Sequence, residues 1–377
     1  MDYSRKTDSI LFFIAVTKLP QRQLLRCLGY SYDFTGRIIN RLLENDFIEI
    51  KELEKPFNEK YITLTKKGEK YIFEKYPEHK AALKSINKKM KGQENKNRQF
   101  KIACVMEMLN SFFPKHIYQF LKTQTGEAVN REQAYNKDDK YAKLRSEIEN
   151  RKIENKNGYL LLTREIRDID DANLKNLTSA RAVGLMNLGQ KDFVIYNHNK
   201  KKMRSYGDFE ERYSFFVENL LEKPIENSIC FMRSYSPLIN SLINTEPINE
   251  STYILNKKVY ANQYCIPLTY QGLQQLKLFE IKNFRERVRN KLLSKNEINR
   301  AHMTIYDGIS EAGNLIFLGF ECNFNEIETI MNNMHTIHID KNIQIFCFPH
   351  QAILYEELFG NRADINIIDM NTILKHI

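Results

Sequence analysis

Long apolar runs are missing from this sequence. No stretch approaches the roughly 20 uninterrupted apolar residues that a membrane-spanning helix requires, so the chain of 377 residues is expected to have no membrane partner. The opening segment, MDYSRKTDSILFFIAV, is amphipathic and lacks the small-residue cleavage site of a secretory signal. The six cysteines (Cys27, Cys104, Cys230, Cys265, Cys322 and Cys347) are scattered with no CxxC pair. That spacing argues against structural zinc and fits unpaired thiols in a reducing compartment. These absences point to the cytoplasm. A phosphate loop of the GxxxxGKT kind is lacking, so nucleotide hydrolysis has no support. The nearest approach to a His-hydrophobe-His metal motif, Met334-His335-Thr336-Ile337-His338, spaces its histidines three apart, on opposite faces of any strand. No internal repeat is visible. Tryptophan is absent, which beside abundant Lys, Asn and Ile reflects an AT-rich coding sequence and carries no mechanism.

What is present is positive charge and ample core material. Lys and Arg outnumber Asp and Glu by 57 to 47, a net charge of +10, with a pI near 9.1. A basic balance raises the odds of a polyanionic partner through phosphate neutralisation and counterion release. Twenty Tyr and 23 Phe can fill cores, and the length implies two or three domains.

Residues 1–76 carry the clearest pattern. Thr7 or Asp8 can cap a helix bearing Ile10, Leu11, Ile14 and Ala15. A second helix starts at Leu19-Pro20 and stops at Gly29. Ser31 then caps a third, YDFTGRIINRLLEND. Phe34, Ile38 and Leu42 are expected to face the core, leaving Tyr32, Asp33, Thr35, Arg37, Asn40 and Arg41 outward. FIEIKEL and KYITLT follow as a hairpin, then a helix from Thr65. Three helices, a hairpin and a helix form the order of a winged helix-turn-helix, and GYSYDFTGRIINRLLENDFIEI resembles the recognition-helix and wing segment of that superfamily. Double-stranded DNA is the expected partner. Arg37, Asn40 and Arg41 are types that contact base edges in the major groove, with Tyr32 and Thr35 beside them. Lys51, Lys55, Lys60, Lys66 and Lys67 are placed to hold flanking phosphates. A module of this shape used only for protein contacts is the alternative.

Residues 77–101, rich in Lys and Asn, read as a basic linker or solvated helix. RQFKIACVMEMLNSFF reads as an amphipathic helix, and residues 102–377 alternate strands with helices. The overall class is α+β: an N-terminal winged helix followed by a mixed α/β region. RQFKIACVMEML, GYLLLTREI, SARAVGLMNL and DFVIYNH, after such an N-terminus, resemble replication-relaxation-like and MOBC-type relaxase proteins of conjugative elements and plasmids. The resemblance implies DNA recognition at a transfer or replication origin, a nuclease-like domain dependent on a divalent metal, and other transfer or replication proteins as partners. A homodimer stays open.

The last hundred residues read as helix (NFRERVRNKLL), strand (MTIYDGI), strand (NLIFLGFECN), helix, strand, helix, strand. Helix, strand, strand, helix, strand matches the latter part of a restriction-endonuclease-like core. There, two carboxylates on neighbouring strands hold one metal that activates water against the scissile phosphate. Asp307 and Glu321 fit those positions, and Mg²⁺ or Mn²⁺ is the expected cofactor if the domain cuts DNA. Asn323 stands where such nucleases carry Lys and brings no positive charge. Arg164, Lys201 or Lys257 would have to replace it. Tyr264 and Tyr270 are candidate nucleophiles for a transesterification, and His350 a phosphate-contacting or capping residue. Two function classes follow: a metal-dependent relaxase or nickase, or a non-enzymatic DNA-binding accessory factor, replication initiator or regulator on a degenerate nuclease fold.

Overall fold

The computed structural model describes residues 3–26, 28, 31–54, 59–125, 141–156, 158–169, 182–199, 204–205, 209–243, 253–254, 259–302, 304–338 and 340–376. The architecture is α+β, with several separate sheets among the helices.

The chain begins with helix α1 (Tyr3–Thr17), short α2 (Arg22–Leu25) and α3 (Tyr32–Glu44). Strands β1 (Ile48–Glu52) and β2 (Lys60–Leu64) then pair antiparallel, and α4 (Lys66–Lys75) follows, its Thr65 cap accepting from the Gly68 amide. Gln21 bridges Tyr61, so the segment before α2 extends the hairpin by a third short rung. Helix α1 starts upstream of the expected cap. Asp8 lies inside it, buried, accepting from the Tyr71 hydroxyl at 2.6 Å and from Lys75. On α3 the core face is Thr35, Ile38, Ile39 and Leu42, at i, i+3, i+4 and i+7. Thr35 was expected outward and is fully buried. Its methyl can face the core because its hydroxyl donates to the Ser31 carbonyl, one turn back. Phe34 is only partly buried.

The basic stretch is not an extended connector. It folds as α5 (Lys80–Lys89) and the start of α6 (Gln93–Leu109), and Ala82, Leu83 and Ile86 are buried. Helix α6 departs from the amphipathic expectation. Every residue from Gln99 to Leu109 is buried, because the helix runs between α1 and α2 on one side and a sheet on the other. Helix α7 (His116–Thr125) completes this layer.

After α8 (Ala142–Glu154) comes that sheet, in spatial order β3 (Tyr159–Leu162), β4 (Ala182–Leu188), β5 (Lys191–Asn199), β7 (Asn227–Met232) and β9 (Asn262–Pro267). The first three strands are antiparallel neighbours and the last three parallel. Helix α9 (Thr163–Ile169) follows β3, while α10 (Phe209–Leu221) and α11 (Ser236–Ile243) supply the crossovers that parallel pairing demands. Two-residue strands β6 (Arg204–Ser205) and β8 (Tyr253–Ile254) pair with each other. Alternation divides the sheet. Phe193, Ile195, Ile229, Phe231, Tyr264 and Ile266 enter the core shared with α1–α6, whereas Val194, Tyr196, Cys230, Met232 and Cys265 face a second core.

A four-stranded sheet follows α12 (Tyr270–Leu276), α13 (Phe284–Leu292) and α14 (Lys295–Arg300): β10 (Gly308–Ile309), β11 (Leu315–Leu318), β12 (Ile343–Cys347) and β13 (Ala363–Ile367). Here α15 (Phe324–Thr336) and α16 (Ala352–Phe359) make the crossovers, and α17 (Met370–His376) follows. An antiparallel pair continued by two parallel strands, each reached through a helix, therefore occurs twice in tandem. Within it, the strand expected at MTIYDGI shrinks to Gly308–Ile309. NLIFLGFECN stops at Leu318, turns through a 3-10 segment, Gly319–Glu321, and reaches left-handed Cys322 at φ 53°. Side chains of the next crossover hold that turn: Tyr355 donates to the Gly319 carbonyl at 2.6 Å and Gln351 to that of Phe320 at 2.9 Å. A Cβ on Gly319 would collide with the Tyr355 ring.

Candidate nucleic-acid interface and carboxylate cluster

Arg37, Asn40 and Arg41 lie on the exposed face of α3, as its periodicity dictates. Arg37 has no acidic partner among the described residues. Asn40 accepts from Arg22 Nη2 at 3.2 Å, a bond that ties α3 to α2. Arg26, also from the α2 side, donates from Nε to the Tyr32 carbonyl and from Nη2 to Asp33, both at 3.2 Å. Its guanidinium lies over the Tyr32 ring, 3.6 Å from the centroid. Arg22, Arg26, Arg37 and Asn40, with Asp33, Gly36 and Ile39, line a cleft of about 330 Å³. Three guanidiniums against one carboxylate make this cleft electropositive. Arg22 and Arg26 were missed in the sequence, where RQLLR offers only a short charged run; contact across two helices reveals them.

The lysines around the hairpin divide. Lys60 and Lys66 are exposed. Lys51 forms an ion pair with Glu49 at 2.6 Å, which raises its pKa and partly neutralises it. Lys67 donates to the Asn45 carbonyl at 2.9 Å and thereby fixes the end of α3. Lys55, Lys201 and Lys257 lie outside the described residues. The hairpin is anchored to the large sheet through Glu59, almost fully buried, whose carboxylate accepts from Arg233 at 2.8 Å.

Asp307 and Glu321 do approach one another's surroundings, but around a cation the sequence did not single out. Arg285 of α13 donates from Nε and Nη2 to the two oxygens of Asp307, at 2.8 and 2.9 Å. Its Nη1 reaches both oxygens of Glu326 at 2.6 Å and lies 3.9 Å from Glu321. Asp307 also accepts the Leu318 amide at 2.8 Å. Burial opposes the charge on Arg285, but the bond to Asp307 and the field of Glu326 outweigh it and hold the guanidinium protonated. Burial raises Glu321 above the usual carboxylate range despite Arg285 nearby. Among the described residues no group of three or more His, Cys, Asp and Glu is arranged to hold a metal. With both Asp307 oxygens bonded to Arg285, this site does not fit Mg²⁺ or Mn²⁺.

Asn323 is a structural residue. It caps α15 through the Asn325 amide, accepts the Gln263 amide at 3.1 Å and donates to Asn262 at 3.0 Å. With the Tyr264–Asn323 bridge and the Cys265 amide on the Cys322 carbonyl, it joins the second sheet to β9. Arg164 donates to Gln99 rather than reaching the carboxylates. Tyr264 is buried against Phe193 and Phe279, and burial drives its hydroxyl far above the ordinary phenol range, an unfavourable setting for a nucleophile. Tyr270 is 41% exposed, and its ring centroid lies 5.4 Å from that of Tyr32. His350 stacks on Phe348 and Tyr235, and burial lowers its pKa to about 4, leaving it neutral at pH 7.

A third polar cluster had no sequence signal. Glu165 of α9, fully buried, accepts from Arg151 Nη2 at 2.9 Å and from the Leu162 amide at 2.9 Å, and lies 2.8 Å from His116 Nε2. Burial pushes its carboxyl up, but Arg151 and His116 prevail and hold it at about 2. Compared with family models, with curated proteins and with solved structures, the chain matches none of them.

Proposed function

We propose that the protein binds double-stranded DNA through α3, with Arg37, Asn40 and Arg41 toward base edges and Arg22, Arg26, Lys60 and Lys66 toward phosphates. The observation that carries this is the arginine-lined cleft between α2 and α3, in which exposed Arg37 meets no acidic partner among the described residues. Guanidiniums converging on one concave face cost electrostatic energy unless a polyanion meets them. The order α1, α2, α3, hairpin, α4, with Gln21 joining the hairpin, supports a winged helix-turn-helix. The resemblance to replication-relaxation and MOBC-type relaxase proteins makes an origin of transfer or replication the candidate target.

Within this proposal the protein acts as a non-enzymatic binding factor, an accessory protein, initiator or regulator. The arginine between Asp307, Glu321 and Glu326 favours that reading over a nickase using those carboxylates. The relaxase reading retains topological support only. With two-residue β6 set aside, helix, strand, strand, helix, strand occurs among the described elements at 163–232 as well as at 295–347, so an endonuclease-like core has two candidate locations.

Electrophoretic mobility shift and anisotropy titrations test the binding. Arg37→Ala with Asn40→Ala is expected to weaken specific affinity by about 1–3 kcal/mol per lost base contact. Unchanged affinity in the double variant would reject α3 as the reading element. Nicking of supercoiled plasmid with Mg²⁺ or Mn²⁺ that Asp307→Ala abolishes would restore the enzymatic alternative.

A further inference from the structure

Tyr270 is a large aromatic left 41% exposed, and its position is specific. It follows the Thr269 cap at the start of α12, just past the carboxyl end of β9. That end of a parallel strand is the edge where open α/β sheets present ligands. Its ring sits against Tyr32, the first residue of α3, with centroids 5.4 Å apart. Arg26 lies over the Tyr32 ring, 3.6 Å from its centroid, and belongs to the arginine cleft. An aromatic step therefore continues the electropositive face of α3 onto the large sheet. The geometry does not float, because α1–α6 and one face of that sheet share a single core.

We infer that Tyr270, supported by Tyr32 and Arg26, is a stacking platform for an unpaired base of a nucleic-acid strand running on from the duplex bound at α3. This rests on the DNA-binding proposal and deepens it: the preferred substrate is a duplex with an unpaired flank. Basic grooves with exposed aromatic faces hold single strands because every base offers a π-face, so no base sequence is demanded. A tyrosine serving only as packing between the two parts would require its apolar bulk alone.

Anisotropy titrations with three fluorescein-labelled probes test the inference: a blunt mixed-sequence duplex of about twenty base pairs, and the same duplex with about five thymidines on either its 3′ or its 5′ end. One tailed probe is expected to bind the wild-type protein on the order of tenfold tighter than the blunt one, by stacking of one base. Tyr270→Phe keeps that preference, since the π-face remains. Tyr270→Leu, which preserves apolar packing on Tyr32, removes it. A wild-type protein that binds all three probes equally, or a Tyr270→Leu protein that retains the preference, overturns the platform. Should blunt duplex bind in an Arg37-dependent way while tails add nothing, only this inference falls. Absence of salt-sensitive binding to any probe would overturn the DNA-binding proposal with it.

Discussion

Arg285 carries the most heavily committed charge in the C-terminal region, and its loss has a sign that geometry decides. Asp307 is 5% exposed and takes two bonds from the guanidinium. Replacing one partner of a buried pair leaves an uncompensated charge, which costs about 3–5 kcal/mol. Arg285→Met should therefore lower the urea-unfolding free energy by about 3 kcal/mol, the lower end because the Arg285 side chain is 27% exposed. Adding millimolar Mg²⁺ should leave the wild-type midpoint unmoved, and a cation-dependent rise abolished by Asp307→Asn would contradict the ion-pair assignment. Glu165 and Glu107 give opposite pH limbs. Glu165 is depressed to about 2, so its contribution is complete above an unfolded pKa of about 4.3 and is lost as pH falls from there toward 2. Urea midpoints measured on acidification should drop, and in Glu165→Gln that acid-dependent part of the drop should vanish. Glu107 is raised by burial well above its ordinary value, against the Gln21 amide that holds it. Its stabilisation is present below about 4.3 and declines as pH rises toward the raised folded value, so Glu107→Gln should be at least as stable as wild type near neutrality.

At the scale of elements, Asn323 shows how a short polar residue can join two sheets. Its side chain caps α15 and closes β9 through Gln263 and Asn262. Asn323→Ala removes a cap worth about 1 kcal/mol and strands a buried amide at about 1–3 more. A loss of about 2–4 kcal/mol in chemical denaturation is expected, and a loss below 1 would show that water replaces those bonds. The same residue marks a limit of legibility. Helix α3, the hairpin and most crossover elements were readable because their apolar residues recur at helical or strand spacing. Asn323 in a Glu-x-Asn tripeptide gave no sign of joining two sheets, since its partners Asn262 and Gln263 lie about sixty residues away. Thr35 was misassigned because a threonine can bury its methyl once its hydroxyl bonds within the helix. Arg285 was passed over for an equally simple reason: a basic residue on a charged helix, FRERVRNKL, resembles its neighbours until the fold selects one of them. Helix α6 hid its position too, because a helix buried on all sides has no polar stripe to break its pattern.

For the whole molecule, the decisive fact is that one apolar core runs from Ile10 to Phe279 through α1, α6 and the large sheet. The expected division at residues 76 and 101 does not coincide with a gap in packing. Residues 1–76 produced alone would leave that shared surface in water. The fragment should show no cooperative thermal transition by circular dichroism, whereas a sharp melt would establish it as an autonomous unit. Cys104, Cys230, Cys265, Cys322 and Cys347 are buried and free, and five segments (α6, β7, β9, the turn after β11, and β12) deliver them, which explains why their spacing in the chain looked random.

Continuity of that core also sets a length. A reader on a flexible tether samples every site its tether can span, and inserting bases between two contacts changes little. Here α3 and the sheet that carries the Tyr270 edge share one core, so under the DNA-binding proposal the separation of their contacts would be built in, like marks on a ruler. Moving the two contacts apart by about five base pairs, half a turn of the duplex, would carry the second to the far side of the helix. Under that proposal, phase along the double helix, beyond base sequence, would be what this fold measures.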